Sequence, residues 1–181
     1  DRLRLPGQPL QGQDQGALDQ DRYRRVAESA KGYAIEIVRA ASPDQWADIR
    51  ALAAELVAWD MAEAQRAGLD PDRLRQFYYT SGRIDVPGDF VPPAGELLLA
   101  CCDGAAAASG AFHPLAGECC EIKLMYARPA FRGNGLGLRI LEELLTRARK
   151  AGYRLARLET ATFMRAAVRT YERAGFCRCA P

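Results

Sequence analysis

The chain has 181 residues, 49% of them hydrophobic, and a formal net charge of +2. This length fits one domain with its own core, and so small a charge gives no reason to expect a nucleic-acid partner. No apolar run approaches the roughly 18 residues of a membrane span, so the sequence predicts a soluble, cytoplasmic protein with no membrane partner and a small-molecule ligand.

The first 33 residues are rich in Gln, Gly, Pro, Asp and Arg and poor in aromatic residues. A segment of this composition cannot bury enough apolar surface to order itself alone. We therefore divide the chain into an N-terminal extension, 1–33, which is flexible or docked on the surface, and a domain over 34–181. The extension could also serve as an arm that joins two copies into a homodimer.

Two helices are predicted after a first strand over 34–39, where β-branched residues dominate. Ser42 supplies an N-cap and the next residue is a proline, which suits the first helical position, so a helix should run to about residue 67. Asp70 and the proline after it repeat this signal for a second helix that ends near residue 79. The following segment, 80–93, has the composition of a loop.

An antiparallel meander of three strands is predicted over 96–102, 105–114 and 119–128. His113 lies at the end of the middle strand with no Ser, Cys or Asp pattern beside it, so we expect a surface or packing role for it. Six cysteines accompany these strands and the C-terminus. Neighbouring residues on a strand point to opposite faces, so the paired cysteines do not suggest a disulfide frame or a metal site.

A glycine-rich turn follows the third strand of the meander. Its residues are Arg132, Gly133, Asn134, Gly135, Leu136 and Gly137, and a leucine-striped helix is predicted directly after it over 138–150. Glycines let the backbone approach a ligand closely, and the helix start offers unpaired N–H groups and the positive end of the dipole. The pattern indicates a pyrophosphate ligand.

Two other phosphate-binding interpretations were weighed for this turn. A Walker-type loop requires a lysine after its last glycine, and none follows here. A dinucleotide fingerprint requires a third glycine where this chain has Ile140. Glu159 stands about where the ribose-binding acid of that fold would lie, so the dinucleotide interpretation stays open.

The end of the chain predicts a strand over 155–160 and a helix over 164–174. A strand that follows a helix in this way implies parallel pairing with the strand before the helix. Few residues remain after Phe176, so the last strand is expected to be short or the chain to be cut there.

The turn and its surroundings resemble the acetyl-CoA-binding core of the GNAT superfamily of N-acetyltransferases. The resemblance is carried by the upstream strand from Glu121 to Pro129, the Arg-x-x-Gly-x-Gly turn, and the downstream residues Met164, Ala167, Val168, Tyr171, Gly175 and Phe176. It implies an α/β fold of the α+β type, with a mostly antiparallel mixed sheet, a parallel βαβ section and about four flanking helices. It also implies transfer of the acetyl group of acetyl-CoA directly to a primary amine of a small molecule, peptide or polypeptide, without a metal.

The resemblance assigns roles to particular residues. The residues expected to bind the coenzyme are Met125, Tyr126, Ala127, Arg132, Gly133, Asn134, Gly135, Leu136, Gly137 and Leu138. Tyr171 is expected to act as the general acid, because a phenol keeps its proton at neutral pH. Glu121 matches a carboxylate that serves as a base in some members, although it lies about 13 Å along the strand from Met125. A non-catalytic acyl-CoA-binding regulatory module is the alternative function.

Two features concern the acceptor and the cofactor arm. The early helices form part of the acceptor wall in the resembled family, and the candidate contacts there are Trp59, Asp60, Glu63, Phe77, Tyr78 and Tyr79. Core packing or solvent exposure would explain the same residues. Met164 replaces an Asn that contacts the cofactor arm in many members, which should weaken binding by about 1 kcal/mol.

Overall fold

The structure is a computed structural model that describes residues 2–4, 24–28, 32–79 and 85–179. Its strands are β1 (Arg2–Arg4), β2 (Arg24–Glu28), β3 (Ala34–Arg39), β4 (Glu96–Cys102), β5 (Ala105–Ala116), β6 (Cys119–Ala127), β7 (Leu155–Glu159) and β8 (Cys177–Cys179). Its α-helices are α1 (Pro43–Arg66), α2 (Pro71–Tyr78), α3 (Leu136–Lys150) and α4 (Arg165–Arg173). A short 3-10 helix, Pro129–Phe131, follows β6.

The described strands form one mixed sheet in the order β2-β3-β4-β5-β6-β7-β1-β8. All neighbours in it are antiparallel except β6 and β7, which are parallel. Helix α3 makes the crossover between these two strands. The predicted fold, a mostly antiparallel sheet with a parallel βαβ section and four helices, is confirmed.

Local sequence signals account for most element boundaries. Ser42 caps α1 in a capping box with Gln45, whose amide N–H donates to the Ser42 hydroxyl at 3.3 Å. Asp70 caps α2 by accepting from the backbone N–H of Asp72 at 2.9 Å. The predicted start of α3 was wrong by two residues: the helix begins at Leu136, because the residue before it takes a left-handed conformation and serves as the N-cap without a side-chain bond.

The N-terminal extension contributes two strands to the sheet. β2 pairs with β3 at one edge, and β1 lies between β7 and β8. Residues 1, 5–23 and 29–31 lie outside the described residues, so the division into an extension and a domain stays a prediction. The predicted short last strand corresponds to β8.

The sheet separates two hydrophobic clusters. One contains Ile140, Leu141 and Leu144 of α3, and the other contains Ile49 and Leu52 of α1. Each helix therefore covers one sheet face with an apolar stripe. Helices α3 and α1 thus pack on opposite faces of the same central strands.

A buried ionic network ties α3 to β4. Arg147 Nη1 lies 2.7 Å from Glu96 Oε2, and its Nε lies 2.9 Å from Glu143 Oε1 one turn earlier. Arg39 of β3 holds the other oxygen of Glu96 at 2.7 Å. Burial alone raises the pKa of Glu96, but hydrogen bonds from the two arginines outweigh it and bring that pKa below its usual value.

Candidate active site

A cleft opens where β6 and β7 separate. The two strands pair only over the three residues from Cys119 to Glu121, opposite Leu155 to Arg157. Beyond Glu121 the side of β6 that faced β7 has no strand neighbour among the described residues. Such an edge presents free backbone N–H and C=O groups to a ligand.

A cavity of about 100 Å³ lies in this cleft. Its walls come from α1, α2, β6 and the segment from the end of β7 into α4. The lining residues are Leu56, Trp59, Asp60, Leu74, Ile122, Lys123, Leu124, Met125, Thr160, Ala161, Met164, Ala167 and Tyr171. The predicted residues Met125 and Tyr171 thus face one cavity, and Glu121 is not among the described residues that line it.

A β-bulge shapes the floor of the cleft. Leu124 has φ +56°, a conformation that is rare for a residue with a branched side chain. The pairing of β5 with β6 shifts register here, between Ser109 and Ala111. The buried hydroxyl of Ser109 donates to the Leu124 carbonyl oxygen at 2.9 Å, which satisfies a group that the ladder no longer pairs. The bulge therefore changes the direction of the backbone next to Met125.

The start of α3 provides backbone donors at one end of the cleft. Gly135, at φ +74°, is the N-cap, and its carbonyl accepts from Arg139 N–H at 3.0 Å. The N–H groups of Leu136, Gly137 and Leu138 precede this first helical bond, so the helix itself offers them no acceptor. A Cβ added at Gly137 would meet nothing closer than Thr170 Cγ2 at 3.9 Å. Internal packing therefore does not require glycine there, which leaves space for a close ligand.

Two side chains of the turn support its shape. Asn134 is buried, and its Nδ2 donates to the Phe131 carbonyl oxygen at 2.9 Å. Arg132 Nε donates to the Ala127 carbonyl oxygen at 2.9 Å, and its guanidinium lies 4.5 Å from the ring centroid of Trp59. Asn134 thus braces the turn, while Arg132 joins the end of β6 to α1. A ligand could use the backbone of both residues.

Tyr171 presents a protonated phenol to the cavity. It is 7% exposed, and its ring packs edge-on against Phe176 at 6.1 Å between centroids. Burial, together with the nearby charge of Asp60, raises the pKa of Tyr171 well above its ordinary value. The hydroxyl therefore keeps its proton throughout the pH range in which the protein would work.

Both carboxylate oxygens of Glu121 contact neighbouring side chains. Its Oε2 lies 3.1 Å from His113 Nε2 and its Oε1 lies 3.2 Å from Lys123 Nζ. Burial raises the pKa of Glu121, but the His113 hydrogen bond and the Lys123 charge outweigh it, so the pKa lies below its usual value. The sequence analysis did not foresee this pairing, although the hairpin register that places residue 113 opposite residue 121 could have revealed it.

Asp60 is a buried carboxylate in the cavity wall. It is 9% exposed, and the Tyr79 hydroxyl donates to its Oδ2. Its buried Oδ1 has no hydrogen-bond partner within the described segments 2–4, 24–28, 32–79 and 85–179. Burial raises the pKa of Asp60 to about 6, although the Tyr79 bond works against that shift.

The helical phase of Asp60 is the signal that distinguishes it in the sequence. It falls four residues after Leu56 and four before Ala64, on the inward face of α1, where an acid is unusual. Glu63 instead pairs with Arg66 on the surface. The side chains of Phe77 and Tyr78 lie outside the described residues.

The described part of the chain lacks the features of a metal site or a membrane span. It contains no cluster of His, Cys, Asp and Glu that could hold a metal ion. The cysteines there are free thiols, and Cys102, Cys119 and Cys120 are buried. None of the described helices has both the length and the apolar character needed to cross a bilayer.

The amino-acid sequence is similar to those of known acetyltransferases. A family model described as the acetyltransferase (GNAT) family matches residues 53–176. An uncharacterized N-acetyltransferase of Schizosaccharomyces pombe is 39% identical over 87 residues, 47% of this chain and 53% of that protein. The chain spans about half the length of the curated relatives it matches.

Comparisons of structure show the same fold. A GNAT-family acetyltransferase from Staphylococcus aureus aligns with a TM-score of 0.60 at 13% identity, covering 81% of this chain and 87% of that one. A structure from Clostridium acetobutylicum, described as a predicted acetyltransferase with acetyl-CoA, aligns with a TM-score of 0.55 at 14% identity, covering 80% and 91%.

Proposed function

The chain belongs to the GNAT family of acetyltransferases, and from this premise we propose that it binds acetyl-CoA and transfers the acetyl group directly to a primary amine. The observation that carries the proposal is the separation of β6 from β7, which leaves a free strand edge between the start of α3 and the cavity that Tyr171 lines.

The residues present fit the coenzyme. The N–H groups of Leu136, Gly137 and Leu138, with the dipole of α3, form a site for a diphosphate. The open space at Gly137 admits a phosphate oxygen close to the backbone. The free edge at Met125 and Tyr126 can hydrogen-bond an extended amide-bearing arm in the manner of an added strand.

Catalysis would follow from the contents of the cavity. Acetyl-CoA supplies an acetyl group activated as a thioester. Backbone N–H groups beside the Leu124 bulge are available to polarise a carbonyl oxygen. The Tyr171 hydroxyl, protonated at neutral pH, is available to donate a proton to a departing sulfur.

Glu121 is better suited to charge pairing than to proton removal. Both of its oxygens have cationic or imidazole partners, and a lowered pKa makes a carboxylate a weaker base. We propose that Glu121 holds Lys123 and His113 at the base of the cleft, so that an acceptor amine would lose its proton to another group.

Release of free thiol from acetyl-CoA tests the proposed activity. Incubation with a panel of primary amines should give one acetylated amine for each thiol released. Binding of coenzyme A without turnover on any amine would instead favour a non-catalytic acyl-CoA-binding regulatory module.

A further inference from the structure

We propose that Asp60 binds the acceptor as a cation and removes its proton, which makes the acceptor a primary ammonium group carried on an apolar carbon skeleton. This inference rests on the proposed acetyl transfer, because it names the acceptor of the same site.

The first observation is the state of the Asp60 carboxylate. A carboxylate that is more than nine-tenths buried needs hydrogen-bond donors, since an unsatisfied buried acceptor costs about 1–3 kcal/mol or more. Tyr79 supplies one donor, to Oδ2. Oδ1 faces no donor from any described segment, and Asp60 lines the cavity. A ligand with N–H groups and a positive charge matches this oxygen.

The second observation is the character of the surrounding wall. Leu56, Trp59, Leu74 and Met164 line the cavity around Asp60. Aliphatic and aromatic carbon on the acceptor would bury against these side chains, while its ammonium group reaches Asp60.

Other charged and titratable groups at the cavity have to be compatible with a cation. Lys123 of β6 is 3.2 Å from Glu121 and its side chain is 41% exposed, so its charge is paired and solvated. The Arg132 guanidinium lies over Trp59. Tyr79 faces Asp60 as a hydroxyl donor, and burial raises the pKa of Tyr171, so that its phenol is neutral. Asp60 is therefore the one acid among the described residues that line the cavity.

The position of Asp60 also suits proton removal. An alkylamine is almost fully protonated at pH 7, so it must lose a proton before it can attack a carbonyl carbon. Asp60, whose pKa burial raises to about 6, is a stronger base than an ordinary carboxylate and still mostly ionised at pH 7. Glu121, which has a lowered pKa and lies outside the cavity lining, does not compete for this role.

Protons and bonds balance in the resulting step. Asp60 accepts one proton from the ammonium group and later releases it to solvent. Tyr171 gives one proton to the sulfur as the carbon–nitrogen bond forms and the carbon–sulfur bond breaks, and regains a proton from solvent. The attacking nitrogen releases its second proton to solvent as the amide forms. The net change is one amide, one thiol and one proton released.

Amine binding tests the recognition half of the proposal without requiring turnover. Butylamine and benzylamine should bind the wild type, while butanol and benzyl alcohol, similar in size but uncharged, should bind at least tenfold more weakly. Asp60→Asn should weaken the binding of the amines at least tenfold and leave the affinities for the alcohols and for coenzyme A unchanged. Asp48→Asn, the same change at an exposed position of α1, should alter nothing. Equal binding of amines to the wild type and Asp60→Asn would overturn the proposal.

Acetyl transfer tests the proton-removal half. Asp60→Asn should lower kcat for butylamine by about 10²–10⁴-fold, the range for loss of a general base, and should remove the fall of kcat/KM below pH 6. With trifluoroethylamine, which is already neutral at pH 7, the same substitution should lower kcat less than tenfold. An equal loss for both amines, or none, would refute the base role. Amine binding that depends on Asp60 without any acetyl transfer would count against the proposed function while upholding the cation site.

Discussion

Ser109 and Leu124 are joined by a buried hydrogen bond, in which the Ser109 hydroxyl donates to the Leu124 carbonyl oxygen at 2.9 Å. Leu124 carries the positive φ of the bulge, and Met125 beside it lines the cavity. The bond therefore holds a strained backbone in the conformation on which the cleft depends.

Ser109→Ala should destabilise the fold by about 1–3 kcal/mol, because it leaves a buried carbonyl without its donor. Urea unfolding measures this change. Ser109→Thr, which keeps a hydroxyl, tests whether the donor or the volume of the residue matters. A Ser109→Ala variant as stable as the wild type would show that the bond does not support the bulge.

Arg147→Met should cost about 3–5 kcal/mol at pH 7, because Glu143 loses a buried cationic partner and Glu96 loses one of the two arginines that bind it among the described residues. The lowered pKa of Glu96 means that its stabilisation is present above the ordinary carboxyl pKa and is lost as the pH falls. The cost of the substitution should therefore shrink between pH 7 and pH 3.5, which lies below the ordinary carboxyl pKa of 4.5.

Urea unfolding at both pH values measures this dependence. Arg149→Met, at an exposed position of the same helix, is the control and should change stability by less than about 0.5 kcal/mol. A penalty for Arg147→Met that is unchanged at pH 3.5 would mean that lost packing, and not the ionic network, accounts for it.

Asp60→Asn should stabilise the protein at pH 8. Burial raises the pKa of Asp60 to about 6, so the folded protein favours the protonated carboxyl group. The stability that this protonated group contributes is fully present below the unfolded pKa of about 4 and is lost as the pH rises through 6. Removing the ionisable group should recover up to about 3 kcal/mol at pH 8, and much less at pH 4.

Thermal unfolding at the two pH values tests this expectation. The predicted gain at pH 8 corresponds to a rise in Tm of several degrees for a chain of this size. A variant that is destabilised equally at both pH values would mean that Asp60 is not a strained, buried acid.

Tyr171→Phe should lower kcat by about 10²-fold or more if the hydroxyl is the general acid. The affinity for coenzyme A should stay within about threefold, because the ring and its contact with Phe176 remain. Since the pKa of Tyr171 is raised, the wild type should show no alkaline fall in kcat from this residue below pH 10. Steady-state rates from pH 6 to 10 check both statements, and an unchanged kcat would remove the role.

Local signals in the sequence were sufficient for most of the helices and strands and for the glycine-rich turn before α3. Caps at Ser42 and Asp70 and the glycine spacing before α3 are contained in a few neighbouring residues. The bulge at Leu124 could not be predicted from the sequence, because a residue other than glycine gives no local indication of a positive φ. The cavity wall that joins Asp60, Tyr79 and Tyr171 depends on how three distant segments pack, which periodicity alone does not specify.

Calorimetric titration of coenzyme A into the wild type and Gly137→Ala tests the central claim most directly. The added methyl group makes only an ordinary van der Waals contact, with Thr170 Cγ2 at 3.9 Å, so the variant should fold at least as stably as the wild type. It should nevertheless bind coenzyme A at least about tenfold more weakly, a loss of about 1.4 kcal/mol, because the methyl group occupies the place of a phosphate oxygen. Equal affinity in the two proteins, or no heat of binding with the folded wild type, would contradict a diphosphate site at the start of α3.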